Sequence, residues 1–561
     1  MSSHEDSQND VDLLSHAGEI FAPVKLPVSG RTVPNRLVKA PLYEHFCSLW
    51  DGNPNSALCA LYAKWGAGHW GVIITGNVQV DRKHLSFGRD MTIPEVLSPA
   101  ALAPWTRLAE AIHTGRASPL DAPHPEAAAH AELGTPLALI QLSHGGRQSL
   151  NVLGGRSPFE PPLAPSPIRS GASHAGKDGQ LSLAIHKLMH QEPREMTHTD
   201  IKAAVAAFVR GAELASLSGF DGVQVHAAHG YLVCQFISPK SNIRTDDYSA
   251  QTDPLHFLRD IVYGIRESKI IPAHFVVAVK LNSADYTVDS TEPQESRALD
   301  HVREIGSWGL VDFIEVSGGD YEDPRTSPPL PFETSLLNVS AEFIDSVQQF
   351  KKPRQVMFEA FAERSMDVLA HCTPSATARG APPLICLTGG LSTLPKMSSV
   401  LGHNHAHLLG IGRPAATHPS LPVELYEAVS ARTAGRATDF FMTEPPALRA
   451  DGLGEPPRTL LSWRALERFT FYVLSLLWSL QPARLPRLVG AGGDVNWHNI
   501  VMRRIAAGEK EPADYTLGKI GASVRFYFSP YPPSEGGASA RWWMLAGVVG
   551  VAIGVGLGQV I

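Results

Sequence analysis

Eight short apolar runs alternate with amphipathic segments over about 400 residues, and this predicts an α/β chain folded as a (β/α)₈ TIM barrel. The runs are continuously apolar, as strands buried on both faces of a parallel sheet must be. Their number favours a closed barrel over an open doubly wound sheet. A third observation concerns the other end: from about residue 436 the pattern changes, giving a C-terminal extension and then a C-terminal transmembrane helix.

In chain order the strands are expected at "LVKAP" (37–41), "GVIITG" (71–76), "LALIQL" (137–142), "GVQVH" (222–226), "VVAVKL" (276–281), "VDFIEV" (311–316), "LICLT" (384–388) and "HLLGIG" (407–412). The clearest intervening helix follows Thr197. Asp200 stands three residues on, in the spacing of a capping box, and Gly219 supplies the stop. Segments 116–134 and 156–179 are rich in Pro, Ala, Gly and Ser and read as surface loops, the second on the rim after the third strand. A helix from about Pro422 closes the barrel. This divides the chain into a flexible arm (1–17), the barrel (18–435), the extension (436–540), expected as a separate region, and a membrane tail (541–561).

Within the extension, "FTFYVLSLLWSL" (469–480) is too short to span a bilayer. The end differs. No charge occurs from Trp542 onward, and residues 544–561 as a helix would reach roughly 27 Å, enough for a thin bilayer. Arg541, Trp542 and Trp543 form the basic and aromatic flank expected at an interface. The expected location is cytoplasm-facing, with the protein anchored through this tail.

Composition excludes several classes. The net charge of −7 comes from interspersed charges, which argues against a nucleic-acid surface and for small-molecule or protein partners. Five scattered cysteines with no C-x-x-C pair fit neither a disulfide framework nor a metal site, so a reducing compartment is expected. The acidic N-terminus has no apolar core of a signal peptide.

Function in such a barrel gathers where strands end. His226, His229 and Tyr231 leave the fourth strand within six residues, more hydrogen-bonding groups than a structural role needs. Glycine turns end the seventh and eighth strands, "TGG" with Gly389 and Gly390 and "GRP" with Gly412 and Arg413, where backbone N–H groups and a cation commonly hold a phosphate.

The motifs "NRLVKAPLYEHF", "QLSHGGRQ", "PREMT", "GVQVHAAHGYLVCQFISPKSNIRTDDY", "VKLNSADY" and "GIGRP" are similar, in order and spacing, to those of the old yellow enzyme family of FMN-dependent NAD(P)H oxidoreductases. "EHF" and "TGNVQVD" look most like its fungal branch, the NADH:flavin oxidoreductases or NADH oxidases. The resemblance spans about residues 20–430. It implies FMN across the C-terminal mouth and NADH or NADPH as electron donor. Gln141 would then pair with the flavin's pyrimidine edge, and Lys280 would sit near N1 and the C2 carbonyl. Pro41, Leu42, Tyr43 and Gly76 would approach the ring, and Gly389, Gly390, Gly412 and Arg413 would hold the phosphate. It also implies that His226 and His229 donate to the oxygen of an activated alkene while Tyr231 protonates its α carbon, in a ping-pong cycle of hydride transfer through flavin N5.

Two departures stand out. Tyr43 occupies a place where the family usually has a small Thr, Ser or Cys. The usual run after "RTDDY" is replaced by "SAQTDPLHFLRD", which bears on Arg244 and the nearby rim. Besides an ene-reductase, the sequence therefore admits an NADH oxidase or specialised secondary-metabolism redox enzyme, and a catalytically weak FMN-binding, membrane-tethered interaction protein. It does not fix the oligomeric state.

Overall fold

Eight parallel strands close on themselves in the computed structural model: β1 (Leu37–Lys39), β2 (Val72–Gln79), β3 (Leu137–Ser143), β4 (Gly222–Ala227), β5 (Val276–Asn282), β6 (Phe313–Ser317), β7 (Leu384–Thr388) and β8 (Leu408–Ile411). Each pairs with the next, and β8 pairs with β1. The structure describes residues 16–48, 51–86, 88–122, 129–151, 153–170, 189–283, 294–317, 354–391, 393–430 and 487–510, with the single positions 472, 512, 522, 525 and 526.

The two-residue alternation of a strand divides the apolar side chains between two cores. Val38, Val72, Ile74, Leu139, Ala278, Phe313, Cys386 and Leu408 fill the barrel interior, while Leu37, Ile73, Ile140, Val223, Val277, Ile314 and Leu409 face the helices. An antiparallel ribbon, Val24–Lys25 with Thr32–Val33, adds Val33 to the interior cluster. At its turn the N–H groups of Val28 and Ser29 donate to buried Asp312, 3.1 and 2.7 Å away. β1 stops short of Pro41, which has no N–H for the ladder. β2 runs past residue 76 to Gln79 because a register shift between Ile74 and Asn77 absorbs Thr75 and Gly76 as a bulge.

The helical layer comprises α1 (Ser56–Ala67), α2 (Pro99–Thr114), α3 (His198–Leu217), α4 (His256–Glu267), α5 (Gln294–Trp308), α6 (Arg354–Ala370), α7 (Leu394–Gly402) and α8 (Leu421–Ser430). α3 begins with the expected capping box, both Thr197 and Asp200 bonding reciprocally. Upstream, the chain enters through a 3₁₀ turn, Ala17–Phe21, whose Ala17 and Ile20 are buried.

The described helix of the extension, α9 (Arg487–Ala506), packs on α1 and on the short helix Arg413–Thr417. Trp497, Ile500, Val501, Met502 and Ile505 enter the same core as the barrel's outer face. Among the described residues no helix is long and apolar enough to cross a membrane. Residues 1–15, most of 469–480 and the tail 541–561 lie outside the described residues.

Candidate active site

The C-terminal strand ends bring His226, His229, Tyr231 and Lys280 to one mouth. His226 on β4 stands in register with Lys280 on β5. The N–H of Ala228 donates to His226 Nδ1 at 3.3 Å, which leaves the imidazole proton on Nε2. That Nε2–H faces Nδ1 of His229 at 3.3 Å, and His229 Nε2 faces the Ser317 hydroxyl at 2.9 Å. The histidines are thus joined in series. Burial, helped by each other and by Lys280, lowers the pKa of His226 well below its ordinary value; burial and Lys280 take His229 down to about 3. Both rings are neutral, each with a single N–H to give.

His229 adopts a left-handed backbone, φ 56°, uncommon outside glycine. Its N–H donates to Asn282 Oδ1 at 3.2 Å and its carbonyl accepts from Gln148 Nε2 at 3.0 Å, so the conformation is held from both sides. Tyr231 is buried at the N-cap of the short helix Leu232–Ile237, its ring centroid 4.7 Å from that of His226.

Below them runs a chain of polar groups: Gln141 Nε2 donates to Gln224 Oε1 (2.7 Å), Gln224 Nε2 to Glu315 Oε2 (2.8 Å), and Lys280 Nζ to Glu315 Oε1 (2.8 Å). The sequence pointed to Gln141 and Lys280 but passed over Gln224 and Glu315. A signal existed. Each interrupts an apolar run at an inward-facing position, and Glu315 supplies the carboxylate that a buried Lys280 requires.

Gly76 lies in the bulge of β2. Its N–H donates to Tyr62 Oη (2.9 Å) and its carbonyl accepts from Thr75 Oγ1 (2.9 Å). A Cβ there would stand 1.9 Å from Glu44 Oε2 and 2.2 Å from the Leu42 carbonyl, so the glycine lets the loop after β1 cross the bulge. Behind it Tyr62 donates to Glu44 Oε1 (2.6 Å), and Lys39 Nζ lies 3.5 Å from the same oxygen. Burial lowers the Lys39 pKa to about 8 against the pull of Glu44.

Pro41, Leu42 and Tyr43 follow on the rim, all half-buried. Tyr43 Oη accepts from Gln79 Nε2 at 3.2 Å. At the far side, Gly389 and Gly390 have φ of 117° and 74°, a region L-residues rarely adopt, and nothing lies within 4 Å of where a Gly412 Cβ would be. Gly412 precedes the helix that begins at Arg413, itself partly exposed. These glycines end the adjacent strands β7 and β8, and Arg413 opens the helix that follows. Buried Ser143 Oγ and Gln148 Oε1 lack a protein partner at the mouth, as groups awaiting a polar ligand do. The residues therefore fit FMN.

Two neighbouring features are structural. Arg244 is paired with Asp246 and with Glu195 (3.2 Å) and donates to the carbonyls of Pro165 (3.1 Å) and Met196 (2.7 Å); despite the altered run that follows, it fastens the rim loop. Asp81, His84 and His144 cluster with metal-ligand chemistry. However, His84 Nε2 accepts from the Leu163 N–H (3.0 Å), so Nδ1 carries the proton that meets Asp81 Oδ2 at 2.8 Å. That tautomer makes the cluster a hydrogen-bonded clamp on the insertion.

Comparisons with known proteins bear on the family and the fold. The profile of the NADH:flavin oxidoreductase / NADH oxidase family matches residues 128–335. The chain is 33% identical over 405 residues to the NADH-dependent flavin oxidoreductase iliE of Hypocrea jecorina, covering 71% of this chain and 87% of that protein. It is 32% identical to the NADH-dependent flavin oxidoreductase nadA of Aspergillus parasiticus, covering 59% of this chain and 68% of that one. Among solved structures, morphinone reductase superposes with a TM-score of 0.51 at 20% identity, covering 73% of this chain and 89% of that one, a likeness of fold.

Proposed function

Because the chain belongs to the NADH:flavin oxidoreductase / NADH oxidase family, whose members carry FMN and take electrons from NADH or NADPH, we propose that it reduces activated alkenes, α,β-unsaturated carbonyl compounds above all. The observation that carries this is the serial bond from His226 to His229 to Ser317, two neutral N–H donors at the mouth with Tyr231 beside them.

FMN, when bound, supplies the hydride. The protein's residues do the rest. A carbonyl oxygen entering beside His226 takes the Nε2–H now given to His229, and rotation of His229 away from Ser317 brings the second N–H to the same oxygen. Both bonds strengthen as the oxygen gains charge, so they favour the transition state over the bound alkene. Because the rings are neutral, neither hands over its proton outright; Tyr231 holds the proton destined for the α carbon. Lys280, tied to Glu315, keeps a fixed positive charge under the site without being a free acid.

The uncharged tail from Trp542 is proposed to tether the enzyme to a membrane, on its composition and its Arg541–Trp543 flank. A fluorescent fusion of residues 535–561 that remains diffuse in the cytosol would remove that assignment.

The test of the chemistry is direct. FMN-loaded enzyme reduced anaerobically with NADH or NADPH and mixed with cyclohexenone should reoxidise rapidly. Slow reoxidation by the enone with fast reoxidation by air would make the protein an oxidase instead.

A further inference from the structure

The loop after β1 is held from three directions. From β2, Gln79 Nε2 donates to the Tyr43 phenol oxygen at 3.2 Å. From the following loop, Asp90 Oδ1 lies 3.2 Å from His45 Nδ1, and the Asp90 side chain is wholly buried. From the far end of the chain, α9 contributes Asn499, whose fully buried amide lies against the carbonyls of Tyr43 (2.7 Å) and Glu44 (3.2 Å); since a carbonyl can only accept, the amide orientation that satisfies this contact is the one whose nitrogen donates to both. Phe526 adds an edge-on contact to His45, centroids 5.8 Å apart, and the Arg503 guanidinium covers that phenyl ring at 4.8 Å.

What these groups hold is an aromatic pair. The rings of Tyr43 and His45 are stacked with centroids 3.9 Å apart and planes 25° from parallel, and His45 has φ 52°, a strained conformation for a residue of its size. Gln79 sets the side on which the Tyr43 phenol lies. Gln79 is in register with Ser143, two residues beyond Gln141 on the strand face that points into the barrel, so the phenol it binds lies on that side. A small side chain at position 43 would leave this space open, whereas a phenol stacked on an imidazole fills it with a flat wall.

We propose that α9 is a working part of the substrate chamber: Asn499 is a positioning residue that fixes the Tyr43–His45 pair, and Tyr43 limits the chamber to small planar rings. The ligand class rests on the proposed alkene reduction, since enones and the phenols that mimic them are planar acceptors for His226 and His229. The site selects by size at β1 while the histidines select by charge at β4. One missing or extra methylene against such a wall changes selectivity by roughly 10- to 200-fold.

Binding alone tests this, without turnover. Full-length, FMN-loaded protein is titrated with phenol and with 2-naphthol, following flavin absorbance. The natural chain should prefer phenol by about tenfold or more. Tyr43→Ser should reduce that preference to about twofold, whereas Tyr43→Phe, which keeps the ring, should retain it. Asn499→Leu conserves volume but removes both donors and should shift the ratio toward that of Tyr43→Ser; the double variant should go no further than Tyr43→Ser, the non-additivity of coupled residues. Faster amide exchange over residues 42–48 should accompany the Asn499 change. If Asn499→Leu does not fold, Asn499→Gln, which displaces the amide by one methylene, should move the ratio in the same direction. The proposal is overturned if the natural chain shows no size preference, if neither phenol binds, or if the Asn499 variants weaken both ligands by the same factor. Preserved size selection in a protein that reduces no enone would instead overturn the alkene assignment.

Discussion

His226 gives its only N–H to Nδ1 of His229 across 3.3 Å, so the second imidazole depends on the first while the first does not depend on the second. Removing them should therefore have unequal effects. His226→Ala should lower kcat by about 10²–10³, the usual result of losing an oxyanion donor. His229→Ala leaves the His226 N–H free for substrate and should cost only about tenfold, within the range of a single neutral hydrogen bond. Steady-state kinetics with cyclohexenone, alongside unchanged FMN content, checks the order; equal losses would contradict the serial arrangement.

The same rings predict a pH response. His229 binds its proton only near pH 3 in the folded state, against about 6.5 when unfolded, so between these values the unfolded chain holds the extra proton. Stability then falls as pH drops from about 6.5 toward 3, by about 1.4 kcal/mol per pH unit for each such group. His84, His301 and His407, each lowered to about 4 chiefly by burial, act in the same direction. Urea unfolding across this range should show the slope, and His229→Asn should flatten it.

Lys280 and Glu315 form a buried ion pair whose loss should be asymmetric. Lys280→Met leaves the Glu315 carboxylate without its cation and should destabilise the protein by about 3–5 kcal/mol. Adding Glu315→Gln should recover a large part, because the uncompensated charge is then gone. Denaturant midpoints of the three FMN-free proteins measure this, and equal destabilisation by single and double variants would refute it.

Gly76→Ala should be costly although it adds one methyl group. The new Cβ meets Glu44 Oε2 and the Leu42 carbonyl, one of them backbone, and relief requires the β1 loop to move. A loss of about 1–3 kcal/mol is expected from overpacking, read as a lower thermal midpoint together with weaker FMN retention.

The strands were legible because both of their faces are buried, which writes each one as an unbroken apolar run. The exceptions have physical causes. β2 outlasts its apolar run because the bulge at Thr75 and Gly76 lets Asn77 and Gln79 continue the ladder with polar side chains. Gln224 and Glu315 showed only as polar interruptions of apolar strands, and the partners they find on neighbouring strands reveal their roles. α9 was least legible: three glycines occupy its first half and break up a full-length amphipathic stripe in the sequence. Asn499 and Tyr43 lie far apart in the chain, and no local spacing relates them.

That distance has a consequence for synthesis. The ribosome releases the β1 loop early, and the strands that follow can close the barrel as they emerge, yet the amide that donates to the Tyr43 and Glu44 carbonyls is made only after all eight strands. A transcript cut short after α8 would encode every strand of the barrel, with Gln79 and Asp90, but not Asn499, so the chamber matures only once α9 has been made.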